Sequence, residues 1–113
     1  MDTIKLTSRN QTEFQNPTFE QIEKVVHELY STSDPEHPNC WITYGFNSEK
    51  GWSLITVDAY ESGLILFEYW EDQDDDDPIL EQRLNGNKET IINLFKLVSQ
   101  KEIEKLKDTI TRK

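Results

Sequence analysis

Cys40–Trp70, CWITYGFNSEKGWSLITVDAYESGLILFEYW, is the stretch from which the fold is read. It holds three runs, 40–46, 52–60 and 64–70, rich in the aromatic and β-branched residues that suit a pleated sheet. Asn47-Ser48-Glu49-Lys50-Gly51 and Glu61-Ser62-Gly63 separate them, and both carry turn-forming residues. Connections this short join antiparallel neighbours, so the three runs predict a meander. In the third run Ile65, Phe67 and Tyr69 share one face, while Leu64, Leu66, Glu68 and Trp70 share the other. Apolar residues on both faces predict a central position in the sheet.

Upstream, Thr3 to Ser8 alternate polar and apolar, the pattern of a first strand. Thr18 followed by Gln21 forms a capping box, and Phe19, Ile22, Val26 and Leu29 then fall at helical spacing with Val25 beside them. This predicts a helix ending near Tyr30, followed by a loop with Pro35 and Pro38. Downstream of the meander, Glu71 to Asp77 form an acidic loop closed by Pro78. Ile79 to Leu84 read as a fourth meander strand with one wet face, as an edge has. Asn85-Gly86 is a turn signal, and Asn87 caps a helix carrying Ile91, Leu94, Phe95 and Val98. Ser99-Gln100-Lys101-Glu102 is a second capping box, predicting a stop and restart before Ile103, Leu106 and Ile110. Lys101, Lys105, Lys107, Arg112 and Lys113 crowd this end, where cations complement the helix dipole.

The 113 residues suffice for one domain, 1–113. The expected class is α+β: an antiparallel sheet of four to five strands in a meander. An N-terminal helix and one or two C-terminal helices pack on one face.

Charge separates the function classes. The net charge of −10 lies wholly in residues 51–82, a window with ten acids and no Lys or Arg. The rest of the chain balances twelve acids with twelve bases. A polyanion repels phosphate, so nucleic-acid binding is excluded as an expectation. No apolar run is long enough to span a bilayer, and Met1-Asp2-Thr3-Ile4-Lys5 does not open like a secretory signal. With Cys40 as the single cysteine no intrachain disulfide forms, so the expected setting is cytoplasmic. The acidic window reads either as a solvated loop or as a docking surface that steers a cationic partner.

The residues for chemistry are few. Cys40 and His37 lie close in sequence, but a reactive thiol needs a partner in space and a lowered pKa, and Cys40 reads as a small core residue. His27 reads as a boundary side chain on the first helix. Counted from Asp72, a calcium loop would need Gly at its sixth position and Glu at its twelfth; Asp77 and Arg83 stand there. One Cys and two His disfavour zinc. The expectation is therefore no catalytic residue, no metal and no cofactor, hence a binding protein rather than an enzyme. Trp41 and Trp52 are expected to fill the core under the helices. Trp70, at the strand exit into the acidic loop, is the expected exposed anchor. The candidate partner-binding set is Asp58, Glu68, Tyr69, Trp70, Glu71, Asp72, Asp74, Asp75, Asp76 and Asp77.

Asn16-Pro17-Thr18-Phe19-Glu20-Gln21-Ile22-Glu23 at a helix start, with Phe67-Glu68-Tyr69 after the Gly63 turn, resembles the Imm1-type immunity proteins of bacterial polymorphic and contact-dependent toxin systems. The resemblance spans residues 4 to 98 and implies a protein that binds a cognate toxin domain and blocks it without catalysis. Charge adds that such a toxin would be basic, for instance a nuclease whose cleft an acidic inhibitor occupies. Two other readings stand beside it. One is a small carboxylate-using enzyme or ligand-binding domain; the other is an adaptor that dimerises through the meander edge. A monomer or weak homodimer is expected.

Overall fold

The computed structural model describes residues 2–31, 33–49, 51–72 and 74–111. The acidic loop is thus described without Gln73, the turn at 47–51 without Lys50, and the basic tail without Arg112 and Lys113.

In chain order the elements are β1 (Thr3–Thr7), β2 (Glu13–Gln15), α1 (Phe19–Ser31), β3 (Asn39–Ser48), β4 (Gly51–Tyr60), β5 (Leu64–Trp70), β6 (Leu80–Asn85), α2 (Lys88–Ser99) and α3 (Ile103–Thr111). The strands form one sheet in the order β2-β1-β3-β4-β5-β6, every neighbouring pair antiparallel. The class is α+β, but the sheet has six strands rather than four to five. The additional strand is β2, three residues with one apolar side chain, too short to show periodicity. A tight turn delivers it: Ser8 N–H donates to the Thr12 carbonyl at 2.9 Å, and Ser8 Oγ accepts from the Asn10 and Thr12 amides. Gln11 takes the left-handed conformation there (φ 69°). Only β3 to β6 form a meander, because α1 intervenes between β2 and β3. β5 is fifth of six rather than central, with only the edge strand β6 beyond it.

Local signals set the helix starts. Thr18 and Gln21 exchange both capping bonds, at 3.0 and 3.1 Å. Asn87 Oδ1 accepts from the Thr90 amide at 2.9 Å and caps α2. The break after α2 falls at the expected place by another mechanism. Ser99 Oγ donates back to the Lys96 carbonyl instead of capping α3, and Lys101 turns the chain with φ 60°. The second capping box does not form.

The core lies between the helices and one sheet face. Ile22, Val25, Val26 and Leu29 of α1, Ile91, Leu94, Phe95 and Val98 of α2, and Leu106 and Ile110 of α3 meet Ile4, Leu6, Cys40, Ile42, Tyr44, Ile55, Val57, Ala59, Ile65 and Phe67. Each large apolar side chain buried this way stabilises by about 1.5–3 kcal/mol. Arg9, only 3% exposed, ties the end of β1 to its surroundings. It donates to the Leu29 carbonyl at the end of α1 (2.8 Å), to the His37 carbonyl (3.0 Å) and to Glu61 Oε2 (2.8 Å).

Candidate functional site

Side chains alternate across a strand, so the residues between the core positions point away from the helices. On β3 these are Trp41, Thr43, Gly45 and Asn47; on β4, Trp52, Leu54, Thr56, Asp58 and Tyr60. On β5 they are Leu64, Leu66, Glu68 and Trp70; on β6, Glu81, Arg83 and Asn85. Trp41, Trp52, Leu54, Leu64, Leu66 and Trp70 belong neither to the core cluster nor to the partly buried side chains packed against it. All six are half-buried on this second face. Trp41 and Trp52 therefore do not fill the core beneath the helices, contrary to expectation. Their neighbours carried the signal: Trp41 shares its face with Thr43, and Trp52 with Thr56 and Asp58, polar residues that mark the wet side.

The strand register arranges this face in rows. Trp41, Asp58, Leu66 and Arg83 line up across β3 to β6, as do Thr43, Thr56, Glu68 and Glu81. Gly45, Leu54 and Trp70 form a third row. The Trp52 indole lies over Gly45, where an added Cβ would stand 2.8 Å from its Cζ2. Glycine at 45 thus lets the aromatic ring lie flat along the sheet.

Asp58 and Glu68 are the half-buried acids of the face, and Asp58 is held by its neighbours. Asn39 Nδ2 donates to its Oδ1 at 2.8 Å, and the Tyr60 hydroxyl bonds it as well. Burial raises its carboxyl above the usual aspartate range, against those two hydrogen bonds. Glu68 stands directly opposite Glu81, a like-charge cross-strand pair that disfavours the isolated sheet.

The acidic loop leaves the face at its Trp70 end. Ser53 Oγ donates to the Glu71 carbonyl at 2.6 Å and pairs with Ser48 Oγ at 2.7 Å, fixing the loop root to the β3–β4 hairpin. Asp72 Oδ1 accepts from the Asp74 amide, and its carbonyl from the Asp75 amide. The Asp72 carboxylate also lies against Gly51 (φ 129°), where a Cβ would come within 2.6 Å of Oδ2. Asp74 to Asp77 are exposed, and none of the ion pairs among the described residues engages them.

Of the residues singled out in the sequence, Asp58, Glu68 and Trp70 share the uncovered face. Glu71, Asp72 and Asp74 to Asp77 stand at its end. Tyr69 does not join them. It points to the helix side, 6.4 Å from the Phe46 ring and with Lys107 Nζ 4.5 Å above its own ring. Trp41, Trp52, Leu54, Leu64, Leu66 and Tyr60 are the members that sequence reasoning did not assign to the site.

Elsewhere the polar groups have structural tasks. A cleft of about 280 Å³ is lined by Leu29, Tyr30, Ser33, Glu61 and Ser62. Its acid, Glu61, accepts from Arg9, from Ser33 Oγ and from the Asp34 amide, and the Arg9 guanidinium holds its carboxyl below the usual glutamate range. Cys40 is fully buried, and desolvation pushes its thiol up to about 12. His37 faces Asp34, and His27 faces Lys88. Among the described residues no three His, Cys, Asp or Glu side chains converge to hold a metal, and no helix is long and apolar enough to cross a membrane.

No protein-family model, no curated protein and no solved structure matches this chain.

Proposed function

We propose that the chain is a protein-docking module whose uncovered sheet face and adjoining acidic loop cover a basic surface on a partner. Its particular form is an immunity protein that binds and neutralises a cognate bacterial toxin domain in the cytoplasm, without catalysis. The carrying observation is the composition of the second face. Six Trp and Leu side chains occupy a sheet surface outside the core cluster, where a purely structural face would be polar. Tryptophan is among the residues that dominate binding energy when desolvated by a partner. Asp58 and Glu68 lie among these side chains, with Glu71, Asp72 and Asp74 to Asp77 at the rim. A rim of one sign raises encounter rates with a cationic surface by about 10- to 10³-fold. For a toxin acting on nucleic acid, the same acids would stand where phosphates bind.

The alternative of a carboxylate-using ligand site draws on Asp58, half-buried beside Trp41 and Tyr60. It predicts that a small cationic ligand binds the isolated chain and is lost in Asp58→Asn.

The test takes the toxin domain encoded beside this chain's gene and titrates it with the wild type, with Trp70→Ala, and with Asp74–Asp77 changed to Asn, at two salt concentrations. The expected results are a large affinity loss for Trp70→Ala and a flatter salt dependence for the Asn variant. Affinity untouched by either change removes this face from the interaction.

A further inference from the structure

We propose that the chain forms a two-fold symmetric homodimer by pairing β6 with β6 of a second copy, extending one sheet across both. This concerns the sheet edge and does not depend on what the open face binds.

The sheet has two edges. At one end β2 is three residues long and offers little to pair with. At the other, β6 has six residues, Leu80-Glu81-Gln82-Arg83-Leu84-Asn85, with no Pro or Gly. Its outward backbone groups follow from the alternation of antiparallel hydrogen bonds. The Gly86 amide donates to the Gly63 carbonyl at 3.0 Å, which extends the β5–β6 register by one pair. Leu84, Gln82 and Leu80 therefore direct N–H and C=O toward β5, and Glu81, Arg83 and Asn85 direct theirs outward. Unpaired edge groups of this kind are a template for another strand.

Symmetric antiparallel pairing must oppose outward residues to outward residues, which leaves three central registers. One centres on Glu81 and sets it against Glu81 of the second copy. Another centres on Arg83 and opposes like charges again. The third centres on Gln82 and sets each Glu81 against Arg83 of the other copy. That register forms four backbone hydrogen bonds and two opposite-charge cross-strand pairs on the open face. On the helix side it brings Leu80 beside Leu84 of the second copy. It also places Ile79, which is 52% exposed, alongside the other copy's Asn85.

The monomer lacks what this pairing supplies. Glu81 faces Glu68 across β5–β6, and neither Glu81 nor Arg83 enters an ion pair among the described residues. Charges usually protect an edge because a second copy meets its own sign. Here the strand reads Leu, acid, Gln, base, Leu, so reversal about Gln82 turns the same charges into complements.

The experiment is sedimentation velocity of the full chain from low micromolar to millimolar concentration. Wild type is expected to show a concentration-dependent dimer. Glu81→Arg and Arg83→Glu should each weaken self-association about tenfold or more, since each sets like charges across the edge. The double exchange Glu81→Arg/Arg83→Glu should restore it. A mixture of the two single variants should form a heterodimer, because the mixed edge again opposes unlike charges at both positions. Recovery in the mixture also shows that both single variants fold. A wild type that stays monomeric at millimolar concentration overturns the proposal. So does a dimer indifferent to all of these exchanges.

Discussion

Along β5, Ile65 and Phe67 point into the helices and are fully buried, whereas Leu64, Leu66 and Trp70 point the other way and stay half-exposed. Hydrophobicity alone does not separate the two sets. What separates them is the supply of covering elements: α1, α2 and α3 all pack on one face, and the described chain has no other helix for the second. The first face stabilises the fold. The second keeps apolar surface in water, a standing cost that covering this face would recover.

The sharpest way to break this comparison is to truncate neighbours on one strand. Phe67→Ala opens a cavity in the core and should cost about 3–5 kcal/mol in denaturant unfolding. Leu66→Ala, one residue away on the open face, should cost about 1 kcal/mol or less and lower partner affinity instead. Equal stability losses would mean that both faces are core.

Next in size is Arg9→Ala. It leaves the buried Leu29 carbonyl and the half-buried His37 carbonyl without their Arg9 donor and should destabilise by about 2–3 kcal/mol. It should also flatten the acid limb of the stability profile. The Glu61 carboxyl is held low in the folded state, so its contribution is present above the usual glutamate range and is lost as pH falls through the lowered value. An acid limb as steep in Arg9→Ala as in wild type would assign that pH dependence to other groups.

Asp58 has the opposite sign. Its carboxyl is raised in the folded state, so ionisation above that range opposes folding. Asp58→Asn should keep or raise the unfolding midpoint at pH 7, and the difference from wild type should vanish as pH falls into the carboxylate range. Partner affinity should nonetheless drop. An acid that lowers stability while serving recognition is expected on the docking face and has no place on the core face. The smallest effect belongs to the exposed loop: Asp74–Asp77 changed to Asn should leave the unfolding midpoint unchanged or slightly higher, since like-charge repulsion is removed.

The starts of α1 and α2 were legible because an N-cap is local chemistry: Thr18 with Gln21 and Asn87 with Thr90 need no tertiary context, whereas Ser99 turned back to the Lys96 carbonyl and did not cap α3. The meander from β3 to β5 was equally local, set by short turns, and β6 follows it across the longer acidic loop. Which sheet face the helices would cover was not, because period-two alternation groups Trp41 with Thr43 without saying where that group points. Thr56, Asp58 and Glu68 between the aromatics would have answered it, read as markers of the wet side. β2 escaped because its pairing depends on the Ser8 turn and on β1, not on its own three residues. Tyr69 was grouped with Trp70 by adjacency, although neighbours on a strand point to opposite faces. For the candidate site, the charge distribution marked the acidic loop, and the apolar surface beside it became visible only once the helices were placed.

Side-chain footprinting of Trp41, Trp52 and Trp70, with the chain free and then bound to the basic partner proposed for it, tests the central claim most directly. The account predicts that all three indoles are modified in the free chain and protected in the complex, with α1 and α2 unchanged. Protection confined to the helices, with the three indoles modified as in the free chain, would contradict it.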